Sequence, residues 1–238
     1  PGHVPGKAGL RRVLQAVADD TVQAVGPHRP LAAGQARLGV YLGLIGLGLA
    51  LLFVAAGLLN PLALQLAPLA VVVLFGYSLT KRFTSLCHYF VGLALAIAPL
   101  AAWVAIAGRV PAQPGPYLLA LAVVFWVGGF DIVYATMDLD FDRAAGVFSL
   151  PARFGIERSL GLARLSHLAM VACLLGVGLT TPALGRGFGL GTAAAAAILA
   201  YEHAIVRPDD LRRVNMAFFT LNGVLGILLL VAGALDLL

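Results

Sequence analysis

The sequence predicts an all-α, polytopic membrane bundle, and three observations carry that expectation. Hydrophobic residues make up 61% of the 238 and charged residues only 11%, with a mean hydropathy of +0.95, far from the averages of soluble domains. The apolar residues gather into runs of about 20, the length a helix needs to cross about 30 Å of hydrocarbon. Those runs lack the alternation of a membrane β-barrel, so helices are left as the way to satisfy backbone N–H and C=O groups in lipid.

Residues 1–37 are polar by comparison, with Lys7, Arg11, Arg12, Arg29, Arg37 and the adjacent acids Asp19 and Asp20. Within them LRRVLQAVADDTVQAV suits either a short amphipathic helix on a membrane surface or a poorly ordered leader. Residues 38–238 then form the membrane domain, with seven spans expected at Leu38 to Leu59, Pro61 to Thr80, Leu86 to Ala107, Tyr117 to Ala135, Leu160 to Thr180, Phe188 to Val206 and Met216 to Leu235. Asn60 and Pro61 leave room only for a tight hinge between the first two, which predicts an antiparallel hairpin.

The formal charge of +5 reports topology before it reports a partner. Lys81, Arg82, Arg143, Arg153, Arg158, Arg207, Arg212 and Arg213 fall on one side of these spans, and Arg109 and Arg186 on the other. Basic loops stay in the cytoplasm, which sets the orientation and removes the case for nucleic acid. Cys87 and Cys173 show no CxxC spacing and read as buried small hydrophobes.

The chemical signal is the stretch DIVYATMDLDFDR, from Asp131 to Arg143, where four carboxylates fall at the end of an apolar run in a chain with only 11 Asp and Glu. On a helix continuing at about 100° per residue, Asp138 and Asp142 lie about 20° to either side of Asp131, and Asp140 points away. Three like charges in a stripe at a membrane edge repel one another and call for cations, and oxygen-only ligands suit Mg²⁺. A solvated acidic loop balanced by Arg143 and Arg153 fits the same spacing. Tyr134, about 60° from the stripe, suits either packing or orienting a phosphate or metal ligand.

The predicted topology brings Lys81 and Arg82 to the same face as these acids. There they either snorkel at a helix end or supply donors to phosphate. Cations and bound divalent metal above a hydrophobic interior suit a substrate with a polyanionic head and a long apolar tail, the shape of a prenyl diphosphate. Other signals read more plainly. GRGFGLG, from Gly185 to Gly191, lacks the preceding strand of a nucleotide loop and predicts close helix packing. His88, His167 and His203 are scattered without ligand spacing and read as interfacial or helix-bonded residues. Glu202 reads either as part of an ion-paired cap with Arg207, Asp209, Asp210, Arg212 and Arg213 or as a substrate contact. Trp103, Trp126 and Tyr117 read as belt and packing residues, although ring faces also suit an allylic cation.

DIVYATMDLDFD resembles the second aspartate-rich motif, DxxYAxxDxxxD, of the UbiA-type intramembrane prenyltransferases. YSLTKRFTSLCHYFVGLALAIAPL resembles the segment carrying that family's Lys-Arg pair, and HRPLAAG, FSLPARFG and YEHAIVRPDDLRRVNMAFF also resemble family sequence. The phrasing is similar to 4-hydroxybenzoate polyprenyltransferases and their menaquinone-pathway relatives. The resemblance implies a nine-helix bundle, of which the seven spans are the third to ninth. It also implies transfer of a polyprenyl group from a polyprenyl diphosphate to an aromatic acid, in ubiquinone or menaquinone biosynthesis, at the cytoplasmic face of a bacterial inner membrane.

By the same resemblance Asp131, Asp138 and Asp142 are the catalytic, Mg²⁺-holding residues, and Lys81, Arg82 and Tyr134 bind the diphosphate. The family's first aspartate-rich motif, NxxxDxxxD, is not matched: its place reads RRVLQAVADDTVQAVGPH, so a truncated or frame-shifted leading segment is expected. Two rival functions remain in view, a transporter or channel built on the acidic cluster and a catalytically inactive family member.

Overall fold

A computed structural model of the chain describes residues 38–238. The stretch LRRVLQAVADDTVQAV, Asp19, Asp20 and the HRPLAAG motif lie outside the described residues. The chain divides into two compact units, residues 1–55 and 56–238. The described part of the first is most of helix α1 (Leu38–Leu59), a run of 22 residues without a charge. Only lipid or other apolar surface suits such a helix on every face.

The second unit starts with the last turn of α1. Asn60, the single residue before α2 (Pro61–Gly76), caps it: Asn60 Oδ1 accepts from Ala63 N at 2.8 Å, and Pro61 occupies the first helical position, where its missing N–H costs nothing. The same side chain works in a second direction. Its Nδ2 donates to the carbonyls of Val104 and Ala105 at 2.9 and 3.1 Å, groups that the end of a helix leaves without internal partners. The Asn-Pro hinge is therefore also a bolt onto the end of α3 (Cys87–Ala107), which stops at Gly108 with φ +62.

Helix α4 (Gly115–Ala135) is the central element, packed most extensively against α7 (Ile156–Thr180) and α3. A Cβ at Gly92 of α3 would collide with the backbone of Val124 in α4. Glycine there lets the two helices touch main chain to main chain, as membrane helices do in place of hydrophobic driving force. The short helices α5 (Leu139–Ala144) and α6 (Leu150–Phe154) connect α4 to α7, and α8 (Arg186–Ile205) and α9 (Asn222–Leu237) complete the fold. Among the described residues there is no β-strand, and seven helices are long and apolar enough to cross a membrane.

Three departures from the expected spans have local causes. Helix α7 begins at Ile156 rather than Leu160, because Gly155 at φ +81 starts it and its first turn carries Glu157, which hydropathy alone skips. The start of α9 is preceded by a π-helical segment (Met216–Leu221), where Asn222 Nδ2 donates to the carbonyls of Ala217 and Phe218, five and four residues back. Helix α8 begins at Arg186 rather than Phe188, its N-terminus, in the GRGFGLG stretch, held by Asp236 of α9. Its carboxylate accepts from the N–H groups of Gly185, Gly187 and Phe188 at 2.7, 2.9 and 2.7 Å, charge placed where the helix dipole favours it. Gly191 abuts Ala232 in the same pair of helices, so close packing is what those glycines serve.

The core falls into two clusters. One, around Met170, Leu174, Val177, Phe188, Leu199 and Leu225, joins α7, α8 and α9. The other, around Ile132, Val133, Leu150, Leu160, Val206 and Val214, gathers the end of α4, the start of α7 and the loop after α8. It includes Ile132 and Val133 of the aspartate-rich stretch itself. Cys87 and Cys173 are free and buried.

Candidate active site

The helix expected to run unbroken through Asp142 changes pitch. Helix α4 stops at Ala135, a 3-10 turn spans Thr136–Asp138, and α5 follows. The cause is Thr136, whose Oγ1 donates to Val133 O at 2.6 Å and whose N–H also reaches that carbonyl, three residues back. On ideal geometry the tighter steps of about 120° spread Asp131, Asp138 and Asp142 over an arc of about 80° rather than 40°. They still form one cluster: Asp131, Asp142 and Lys81 all lie within electrostatic range of Asp138.

The three acids differ in surroundings. Asp138 is exposed, and the side chain of Asp131 is 22% exposed. Asp142 is buried at 4%, and its Oδ2 has no hydrogen-bond partner among the described residues. Asp140 is exposed, pointing away as the helical phase requires. Among the described residues Arg143 makes no ion pair with these acids, and Arg153 lies over the Phe154 ring at 5.2 Å. The balance by those two arginines that a plain acidic loop would need is absent among the described contacts.

Lys81 reaches the acids because the loop after α5 is stitched back to the segment that carries it. Phe148 N donates to Lys81 O at 2.9 Å, and Cys87 Sγ donates to Phe148 O at 3.4 Å. Leu150 N donates to His88 Nε2 at 3.3 Å. Ser149 caps α6 through Ala152 N. Arg82 follows Lys81 at the end of the 3-10 turn Tyr77–Arg82 and is exposed.

His88 corrects the expectation of scattered histidines. It is wholly buried, and its Nδ1 lies 2.6 Å from Asp131 Oδ2. With Nε2 accepting from Leu150 N–H, the ring proton sits on Nδ1 and is donated to the carboxylate. One oxygen of Asp131 is thus fixed by protein. No spacing in the sequence announces this contact, since the two residues are 43 apart.

Tyr134 belongs to an aromatic ladder. Trp126, Phe130 and Tyr134 recur every fourth residue on α4; Trp126 packs edge-on against Phe130, Phe130 and Tyr134 meet Phe218 of the π segment, and Tyr134 also meets Phe219. The Tyr134 ring lies 4.3 Å from that of Phe218. Trp126 is not a belt residue: its Nε1 donates to Asn222 Oδ1 at 2.7 Å inside the bundle. The i, i+4, i+8 spacing was visible in sequence, but the partner ladder was not.

Glu202 is likewise not part of an ion-paired cap. It is buried at 1% and lies toward His167, with Nδ1 to Oε1 at 3.9 Å. The solvent-side pairing falls instead to Asp210 and Arg212, joined at 2.8 Å. The Arg212 hydrogen bonds hold the Asp210 carboxyl well below the usual carboxylate range.

Comparison with known proteins gives a consistent likeness. The chain matches the UbiA prenyltransferase family over residues 17–224. It is 34% identical over 209 residues to a 4-hydroxybenzoate octaprenyltransferase of Alkalilimnicola ehrlichii, covering 85% of this chain and 68% of that protein. A protein of the same name from Aromatoleum aromaticum is 33% identical over 212 residues, 87% of this chain and 69% of the relative. The apo structure of a UbiA homolog from Aeropyrum pernix K1 superposes with a TM-score of 0.81 at 31% identity, covering 93% of this chain and 82% of that one.

Proposed function

The chain belongs to the UbiA prenyltransferase family, and from that premise we propose that it transfers a polyprenyl group from a polyprenyl diphosphate to an aromatic acid. The acceptor is 4-hydroxybenzoate or a close relative, the product a quinone precursor, and ubiquinone the pathway suggested by the relatives' names. The observation that carries the proposal is the gathering of Asp131, Asp138, Asp142 and Lys81 at one end of an apolar bundle.

The residues present fit Mg²⁺. Every donor is a carboxylate oxygen, and Asp142 Oδ2 is a buried acceptor without a partner, which a cation would satisfy. Asp131, Asp138 and Asp142 would hold the metal. When bound, it neutralises charge growing on the leaving diphosphate.

The remaining work falls to this chain's own groups. Lys81 and Arg82 supply fixed cationic donors to the diphosphate oxygens. His88 keeps Asp131 oriented by a hydrogen bond to one oxygen. The C–O bond between the prenyl chain and diphosphate breaks, and the ring faces of the ladder around Tyr134 and Phe218 stabilise the allylic cation. The aromatic carbon ortho to the phenol hydroxyl then attacks, and its proton passes to the departed diphosphate as the ring regains aromaticity. Apolar surroundings keep water from capturing the cation. The basic residues at this end support a cytoplasmic-facing site in the membrane.

The test uses the full chain in lipid nanodiscs with polyprenyl diphosphate and 4-hydroxybenzoate. Mg²⁺-dependent release of pyrophosphate together with prenylated acid is expected, and both are lost in Asp138→Ala. Metal-independent ion flux across vesicles, unchanged in that variant and without prenylated product, would instead make the acids part of a transport path.

A further inference from the structure

A second cluster of ionisable groups lies inside the bundle and takes no part in the chemistry above. His167 comes from the middle of α7, and Glu202 and His203 from the last turn of α8. One ligating atom from each lies within 4.8 Å of the other two. His167 Nδ1 is 2.9 Å from His203 Nε2 and 3.9 Å from Glu202 Oε1.

What marks this as more than packing is the state of its polar atoms. His167 is 2% exposed and Glu202 1%. Among the described residues both Glu202 carboxylate oxygens and His203 Nδ1 are buried without a hydrogen-bond partner, while the Trp126 carbonyl lies within hydrogen-bonding range of the His167 ring. Buried polar groups are nearly always satisfied, and an orphaned carboxylate beside two imidazoles points to an absent partner. That partner is not Arg207, whose Nε donates to Ala204 O. Arg164, on the helix α7 that carries His167, is within electrostatic range of His203 but is exposed. The backbone also makes room: a Cβ at Gly129 of α4 would overlap the His167 ring, so glycine there admits the imidazole.

We propose that His167, Glu202 and His203 form a binding site for a divalent transition-metal cation of the Zn²⁺ class, separate from the carboxylate site. Two imidazole nitrogens and one carboxylate oxygen are the donors such ions prefer, whereas Mg²⁺ favours oxygen ligands alone. A tetrahedral ion with bonds of about 2.0–2.1 Å holds its ligand atoms about 3.3 Å apart. The distances of 2.9 and 3.9 Å straddle that value, and all three atoms lie within 4.8 Å of one another, so side-chain shifts of up to about 1.5 Å complete the site. The fourth position is left to water or a small anion, and the bound ion staples α7 to α8.

The test is a Co²⁺ titration of the full chain in detergent, after chelator treatment and with excess Mg²⁺ present to fill the carboxylate site. Expected are a visible d–d absorption saturating at one ion per chain, its loss on adding Zn²⁺, and at least tenfold weaker binding in Glu202→Gln and His203→Ala. X-ray absorption at the zinc edge on the wild-type chain should show two imidazole nitrogens, a readout that survives if either variant fails to fold. No saturable band in the wild type, or an oxygen-only zinc shell, overturns the site. An equal band in folded variants does the same. Prenyl transfer enters none of these measurements, so the two proposals stand or fall separately.

Discussion

The rim around Asp138 and the cluster around Glu202 place similar groups in opposite surroundings. At the rim, acids and Lys81 share an electrostatic field at a helix end, with Asp138 open to solvent and Asp131 held by His88. In the interior, Glu202 and His167 are buried, and both Glu202 carboxylate oxygens lack a hydrogen-bond partner among the described residues. The difference teaches what each place can do. An open, repelling group of oxygens can accept and release a charged substrate, while a closed mixed set of nitrogen and oxygen is suited to holding an ion in place.

The largest effect that would sharpen this contrast is expected from Asp138→Ala. Prenyl transfer should fall by about 10³-fold or more, as when charge stabilisation of a leaving group is removed. Thermal unfolding should barely move, because the side chain is exposed. A comparable loss of activity in His203→Ala with the fold intact would break the division between the two clusters.

His88→Ala should cost about 10- to 100-fold in activity, the range for partners that orient metal ligands. It should also raise the Mg²⁺ concentration needed for half-maximal rate. His88→Gln, able to donate to Asp131, should recover part of both. Equal loss in the two variants, with no change in Mg²⁺ requirement, would reduce His88 to packing.

Gly129→Ala tests the interior. Its new Cβ meets the His167 ring, and overpacking of this kind costs about 1–3 kcal/mol, read as a lowered unfolding midpoint. Gly161→Ala, on α7 with open space beside it, should be neutral or slightly stabilising as a helix substitution.

The smallest effect belongs to the exposed pair Asp210 and Arg212. Because Asp210 is held below its ordinary value in the folded chain, its contribution is present above the unfolded value near 3.9 and fades as pH falls from there toward the folded value. Asp210→Asn should therefore flatten the acid side of the stability profile slightly, in unfolding midpoints measured against pH, and leave neutral pH almost unchanged.

Much of the fold was legible because spans are written locally. Each apolar run from Leu38 to Leu237 declares its length without reference to its neighbours, and the DxxYAxxDxxxD spacing sits within twelve residues. The capped turn at Asn60 and the crowding of acids at one end follow from the same short-range logic. The expectations miss where a side chain's neighbours in sequence are not its neighbours in space. Glu202 has Arg207 and Asp210 a few residues on, yet it turns inward. Thr136 broke a helix that hydropathy had no reason to break.

By itself, then, the sequence determined the membrane bundle, the end at which its acids collect and the family it belongs to, since hydropathy and contiguous motifs need no partner. Only the tertiary structure decided that His88 holds Asp131 across 43 residues and that His167 meets His203 across 36. In a bundle whose surfaces are apolar nearly everywhere, many pairings satisfy the helices equally well. The polar contacts that distinguish them form only once glycines such as Gly92 and Gly129 let particular helices come close.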